Sequence, residues 1–197
     1  MINDDQVKKM NKLSVLKKEE WDDLPISSLT LKIGDWKMLF TEQEYKVLIA
    51  ETLNVCLHEH EFKHSIVGYL ITKRRVCLVL KMHYRHIPKM LDFFYDSVKR
   101  KVIDRFERMK KTFLKRTMQH GSMEMNDLFD DLFEQFPLEN DSLVRLITGR
   151  EVELPYYNPH LARLKDRIRN YNFCSAIDYS GAKSPVLVTL LKDGMIF

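Results

Sequence analysis

Residues 66–82 read IVGYLITKRRVCLVLKM, two apolar runs on either side of a basic tripeptide. Ile66–Thr72 and Val76–Met82 are rich in Val, Ile, Leu and Tyr and short enough for strands. Lys73-Arg74-Arg75 reads as the turn between them, although it lacks the Asn-Gly or Gly-X pair that favours a tight hairpin. The runs are apolar almost without interruption, which predicts strands covered on both faces. Side chains alternate along a strand. Arg75, Cys77 and Val79 therefore share one face of the second strand, and Val76, Leu78 and Leu80 share the other.

Upstream, Ile26–Ile33 (ISSLTLKI) alternates and stops at Gly34, predicting a first strand. Thr41, with Glu44 three residues on, is a capping box. The helix it opens runs to about His58 and buries Tyr45, Leu48, Ile49, Thr52 and Val55. Downstream, Pro88 opens a longer helix in which Met90, Leu91, Phe94, Val98, Val102 and Phe106 recur at helical spacing, extending toward Met118 and ending by Gly121. Asn126–Phe136 predicts a short acidic helix with Leu128, Phe129, Leu132, Phe133 and Phe136 inward. Ser142–Thr148 predicts another, ending near Gly149, and Val186–Leu191 reads as a last strand. Residues 1–25 form a polar N-terminal extension or helix, with a weak period through Val7, Met10, Leu13 and Leu16, ahead of one domain over 26–197. This order predicts an α+β fold of the ferredoxin-like kind, an antiparallel sheet with helices on one face.

Composition narrows the function classes. The chain has 197 residues, 45% apolar and 30% charged, as in an ordinary globular domain. No apolar run approaches the ~20 residues that span a bilayer, so no membrane role is expected. The N-terminus lacks the apolar stretch of a secretory signal. Three cysteines, Cys56, Cys77 and Cys174, have no metal-ligand spacing and fit a reduced, cytoplasmic setting. The net charge of +4 is mild, but residues 73–116 are strongly basic and Glu124–Asp141 is acidic. A clustered basic stripe is the footprint of a nucleic-acid binder, here Lys73, Arg74, Arg75, Lys99, Arg100, Lys101 and Arg105. It also describes a merely solvated helix face. His58, His60, His64, His83 and His86 have no recognised ligand spacing. Tyr156, Tyr157, Tyr171, Phe173 and Tyr179 are candidates either for base stacking or for core packing.

The C-terminal portion, YYNPHLARLKDRIRNYNFCSAIDYSGA, resembles the tail of the REP-associated tyrosine transposases, HUH-type proteins of bacteria. Asn158-Pro159 matches that family's Asn-Pro, with Ala162, Arg163 and Leu164 in step. Tyr171, Phe173, Ser175 and Tyr179 stand where the family has Tyr, Trp, Ser and Tyr. Leu128-Phe129 and Phe133 resemble a further family segment, and VGYLITKRRVCLVL aligns without a gap to the hairpin that carries the HUH motif. The resemblance implies a ferredoxin-like HUH fold that binds single-stranded or hairpin DNA. In active members two histidines hold a divalent metal and a helix-borne tyrosine attacks the phosphate.

At the two histidine positions this chain has Arg75 and Cys77. Arginine stays protonated and has no lone pair to give, and a lone thiolate suits magnesium or manganese poorly. No cofactor is therefore expected, with Mg or Mn relevant only if the family's activity is retained. The nucleophile's position falls on Val98, with Tyr95 one turn away. The expectation is a DNA-binding protein without nicking activity, its phosphate contact made by Lys73, Arg74 and Arg75. A homodimer is left open. One alternative is a protein-interaction module using Glu124–Asp141 and the tail Met195-Ile196-Phe197. Another is an active nicking enzyme using Tyr95.

Overall fold

The structure is a computed structural model and describes residues 24–58, 64–114 (side chains to 109) and 132–191. The expected N-terminal helix, His60, Leu128, Phe129, most of the acidic segment and the tail 195–197 lie outside the described residues. A four-stranded antiparallel sheet is built from β1 (Ile26–Ile33), β2 (His64–Ile71), β3 (Arg75–Met82) and β4 (Phe133–Pro137), in spatial order β2-β3-β1-β4. Helix α1 (Glu42–His58) joins β1 to β2, and α2 (Ile87–Leu114) follows β3. After β4 come α3 (Asp141–Ile147), α4 (Pro159–Arg169) and the single turn α5 (Ala176–Tyr179). The molecule is thus an α+β fold in which β3 inserts between β1 and β2.

The predicted hairpin forms between β2 and β3, with Arg75 as the first strand residue rather than the last turn residue. Thr72 supplies what an Asn-Gly turn would have supplied. Its Oγ1 accepts from the Arg74 and Arg75 N–H groups, and its own N–H donates to the Arg75 carbonyl. The alternation also holds. Val76, Leu78, Leu80 and Met82 pack with Tyr45, Ile49, Phe94 and Val98 beneath α1 and α2. Cys77 and Val79 pack with Val67, Leu143, Val144, Ile147 and Ile168 beneath α3 and α4. Helices on one face only is therefore corrected: the doubly apolar β2 and β3 need cover on both sides, and α3 and α4 provide the second.

The capping box is present. The Thr41 N–H donates to Glu44 Oε2 at 2.8 Å and the Glu44 N–H to Thr41 Oγ1 at 3.3 Å. Thr41→Ala should cost about 1 kcal/mol. In a chain of this size that lowers Tm by about 2–4 °C in a thermal melt, without changing any surface discussed below. On α1, Tyr45, Leu48, Ile49 and Thr52 are buried as expected. Val55 is 49% exposed, and Cys56 takes the inward position, because 100° per residue carries position 56 rather than 55 back to the core side.

Two expectations fail at the sheet's edges. Phe133 and Phe136 are three apart, a spacing that predicts a helix. Residues 133–137 form β4 instead, with Phe133 opposite Ile33 and Phe136 opposite Thr30. The strand puts Phe133 into the core against Phe94 and Trp36 and leaves Phe136 exposed on the other face. Val186–Leu191 is not a strand. It touches β2 through one backbone bond, Thr189 N–H to the Ile66 carbonyl. The outer edge of β2 is instead closed by residues 173–175. Ile71 N–H donates to Phe173 O, Ser175 N–H to Tyr69 O, and Tyr69 N–H to Ser175 Oγ. A covered edge has no free ladder groups to recruit another strand.

Candidate functional site

The sheet's second face is covered over β2 and β3 by α3 and α4 but is left open toward β1 and β4. At that boundary lies a cleft of about 520 Å³. Its floor is buried and, apart from Thr30, apolar: Thr30, Leu70, Cys77, Leu143 and Ile168. Its rim carries Lys73, Arg75, Arg167, Glu42 and Glu139, all exposed, with half-buried Tyr171 at the side. Pro137–Asn140, leading from β4 into α3, forms another wall. Asn140 caps α3 by accepting from Leu143 N–H at 2.9 Å, which fixes where that wall ends.

Strand register sets the charge of the rim. Arg75 lies opposite Lys32 on β1, and Lys32 opposite Glu134 on β4. Lys32 pairs with Glu134 at 2.7 Å. Two cations facing each other across a pair of strands repel, and the single carboxylate in the row is taken by Lys32. Arg75 is left at the cleft with no ion pair among the described residues, and the same holds for Lys73 and Arg167. The two rim carboxylates do not offset them equally. Glu42 bonds to Lys46 Nζ at 2.6 Å, and this hydrogen bond and charge, with a smaller contribution from the Lys73 charge, hold its carboxyl below the usual range.

Lys46 is itself nearly buried, its side chain 7% exposed. Burial opposes its charge, but hydrogen bonds with Glu42 and the Tyr171 hydroxyl, each 2.6 Å, prevail and hold its pKa above the ordinary lysine value. The chain Glu42–Lys46–Tyr171 ties α1 to the segment after α4 and fixes the Tyr171 ring at the cleft wall.

The residues present do not fit the metal that the resemblance implies. Arg75 has no lone pair to give. Burial pushes the Cys77 thiol up, opposed by the Thr30 Oγ1–H bond to its sulfur at 3.9 Å and by the Arg75 charge, so Cys77 is a neutral thiol at physiological pH. Among the described residues no three His, Cys, Asp or Glu side chains gather to hold an ion. His83 does local work: its Nδ1 accepts from the Arg85 N–H ahead of α2.

The structure does not bring Tyr95 to Arg75 and Cys77. Tyr95 belongs to the α1–α2 face, stacked on Phe133 with centroids 5.4 Å apart, whereas Cys77 belongs to the opposite face. Burial, aided by the Asp92 charge, pushes the Tyr95 phenol up to about 12. Val98 is buried in the same core.

The basic residues expected to act together fall into two groups. Lys73 and Arg75 line the cleft, with Arg74 exposed beside them at the turn. Lys101 and Arg105 border a groove between α1 and α2 and are engaged there: Lys101 with Glu51 at 3.2 Å, Arg105 with Glu44 at 3.5 Å. Arg100 donates to Ser97 Oγ at 3.1 Å, and Lys99 is exposed. Part of the helical stripe, Lys101 and Arg105, therefore serves the α1–α2 contact, which a one-dimensional charge count does not register. Sequence reasoning missed Arg167, whose signal was its place in the basic run RLKDRIR. Of the aromatic set, Phe173 is buried, Tyr171 and Tyr179 are half-buried and hydrogen-bonded, and only Tyr156 and Tyr157 are exposed.

No protein-family profile, no curated protein and no solved structure matches this chain.

Proposed function

We propose that this protein is a DNA-binding relative of the REP-associated tyrosine transposases that does not cleave, with a ferredoxin-like, HUH transposase-like domain that holds single-stranded or hairpin DNA by its phosphates. The observation that carries the reading is the cleft rim. Lys73, Arg75 and Arg167 border one cavity, none ion-paired among the described residues, and Arg75 stands at one of the two positions where the resembled family has its metal-binding histidines. A guanidinium presents a planar fork of donors that matches a phosphate, and it needs no metal to do so. The β-α-β-β-α-β order, with β3 between β1 and β2, supports the fold part of the reading. The absence of cleavage is supported by Arg75 and Cys77 as non-ligands and by Tyr95 lying across the sheet from them.

The test is a binding titration of the full chain with fluorescent single-stranded, hairpin and duplex DNA across a salt series. Single-stranded or hairpin DNA should bind more tightly than duplex, with a steep salt slope that added manganese leaves unchanged. Arg75→Gln combined with Arg167→Gln should weaken binding at least about tenfold. It should also flatten the slope by about 0.7 for each phosphate that is no longer neutralised. Absence of salt-sensitive binding at low ionic strength would refute the reading.

A further inference from the structure

Against a different face of α4 from the cleft lies a second groove, about 470 Å³, between residues 152–158 and the helix. Its outer lip is Tyr156 and Tyr157, 64% and 82% exposed. Two adjacent tyrosines this open contribute little to the core, and neither hydroxyl has a hydrogen-bond partner among the described residues. The lip is firmly placed all the same. Val152 is buried on one side of it. On the other, Asn158 caps α4 by accepting from the His160 and Leu161 N–H groups at 2.9 and 3.1 Å, and Pro159 opens the helix.

Helix α4 itself is cationic. Arg163, Lys165, Arg167 and Arg169 face one carboxylate, Asp166, and none of the four is ion-paired among the described residues. Spacing divides them into two stripes. Arg163 and Arg167 lie four apart, and Arg167 lines the cleft. Lys165 and Arg169 lie four apart, and Lys165 lines the groove together with Glu153. The two hollows thus lie on different faces of one helix, with a cation of that helix lining each.

We infer that Tyr156 and Tyr157 are a stacking platform for unpaired DNA bases, and that one strand crosses α4 with its phosphates on the α4 cations and its bases on the two rings. This rests on the phosphate-binding reading of the cleft and deepens it by naming what the site selects. Aromatic rings stack on any base, but only where the base face is free, and in a duplex both faces are covered. The arrangement therefore takes single strands or the loop of a DNA hairpin and refuses its stem. Two rings beside a cationic helix match a polyanion whose repeating unit carries one flat apolar group and one phosphate.

The experiment compares the full chain with the double variant Tyr156→Ala/Tyr157→Ala on three probes: a thymidine 15-mer, an abasic deoxyribose-phosphate strand of the same length, and a duplex. Both side chains are exposed, so the variant keeps its fold, which a matching thermal melt verifies. The variant should bind the thymidine strand at least about tenfold more weakly with an unchanged salt slope, because stacking releases no counterions. Both proteins should bind the abasic strand equally, and Tyr156→Phe/Tyr157→Phe should bind like the unaltered chain. If the alanine variant binds thymidine as tightly as the unaltered chain does, or loses the abasic strand equally, the platform is refuted while the cleft reading stands. If the unaltered chain binds none of the probes, the cleft reading fails and takes the platform with it.

Discussion

Gly149→Ala is expected to destabilise the protein by about 3–5 kcal/mol, a large part of what holds a domain of this size together. Gly149 ends α3 in the left-handed region, at φ +73°, and builds a Schellman turn. Its N–H donates to Leu146 O at 3.3 Å and the Arg150 N–H to Arg145 O at 2.8 Å. The positive φ alone would cost an alanine about 1 kcal/mol. The larger cost is steric, because an added Cβ would overlap Cδ1 and Cγ of the Tyr179 ring and stand 2.7 Å from its Cβ. That ring cannot withdraw freely. Its hydroxyl donates to Val67 O at 2.8 Å and accepts from the Leu191 N–H at 3.2 Å, holding both the bulged part of β2 and the segment that follows α5. Gly181 is the control: its φ is +91° but a Cβ there meets nothing within 4 Å, so Gly181→Ala should lose only the backbone increment. Denaturant melts of the two variants should differ by about 2 kcal/mol or more; equal losses would mean that Tyr179 is not the anchor described.

The same contacts explain which parts of the fold were legible. The hairpin, β1 and α1 announce themselves because each carries its own determinants: alternation, a capping box, a stop at Gly34. β4 does not. FEQFP is five residues long, its two Phe residues have a helical spacing that falls on opposite faces of a strand, and what makes it a strand is β1, far upstream in the chain. Val186–Leu191 errs in the other direction, with strand composition but no free edge, since 173–175 already occupies β2. Of the tail positions, Tyr171 and Tyr179 stand out as aromatics while Ser175 stands out only through a resemblance, and each has a physical task here. Tyr171 accepts from Lys46, Ser175 bonds β2 and Ile147 O, and Tyr179 rests on Gly149. The candidate site is half visible for a similar reason. Arg75 and Cys77 share a face by strand period alone, but the cleft beside them exists only because α3 and α4 fold back over that face.

Trp36→Ala should cost about 3–5 kcal/mol, the usual range for emptying a fully buried large aromatic site. Trp36 fixes β4, the shortest strand. Its Nε1–H donates to Leu132 O at 2.7 Å, and that oxygen also accepts from the Gly34 N–H. The indole packs edge-on against Phe133 at 5.7 Å, Phe40 at 5.9 Å and Tyr45 at 6.4 Å. Trp36→Phe keeps most of the apolar contact but leaves Leu132 O one donor, a loss of about 1–2 kcal/mol. The two variants therefore separate packing from hydrogen bonding, and amide exchange separates local from global effects. Both should speed exchange in residues 133–136 more than in β3, because β4 is held along one edge only. The consequence reaches the cleft, since Pro137–Asn140 forms a wall continuous with β4. Under the proposed function, and under conditions where Trp36→Ala remains folded, the variant should bind single-stranded DNA more weakly than the unaltered chain although no basic residue has been touched. If β4 exchanges as slowly as β3 in the folded variant, Trp36 is an ordinary core residue and the wall is held by something else.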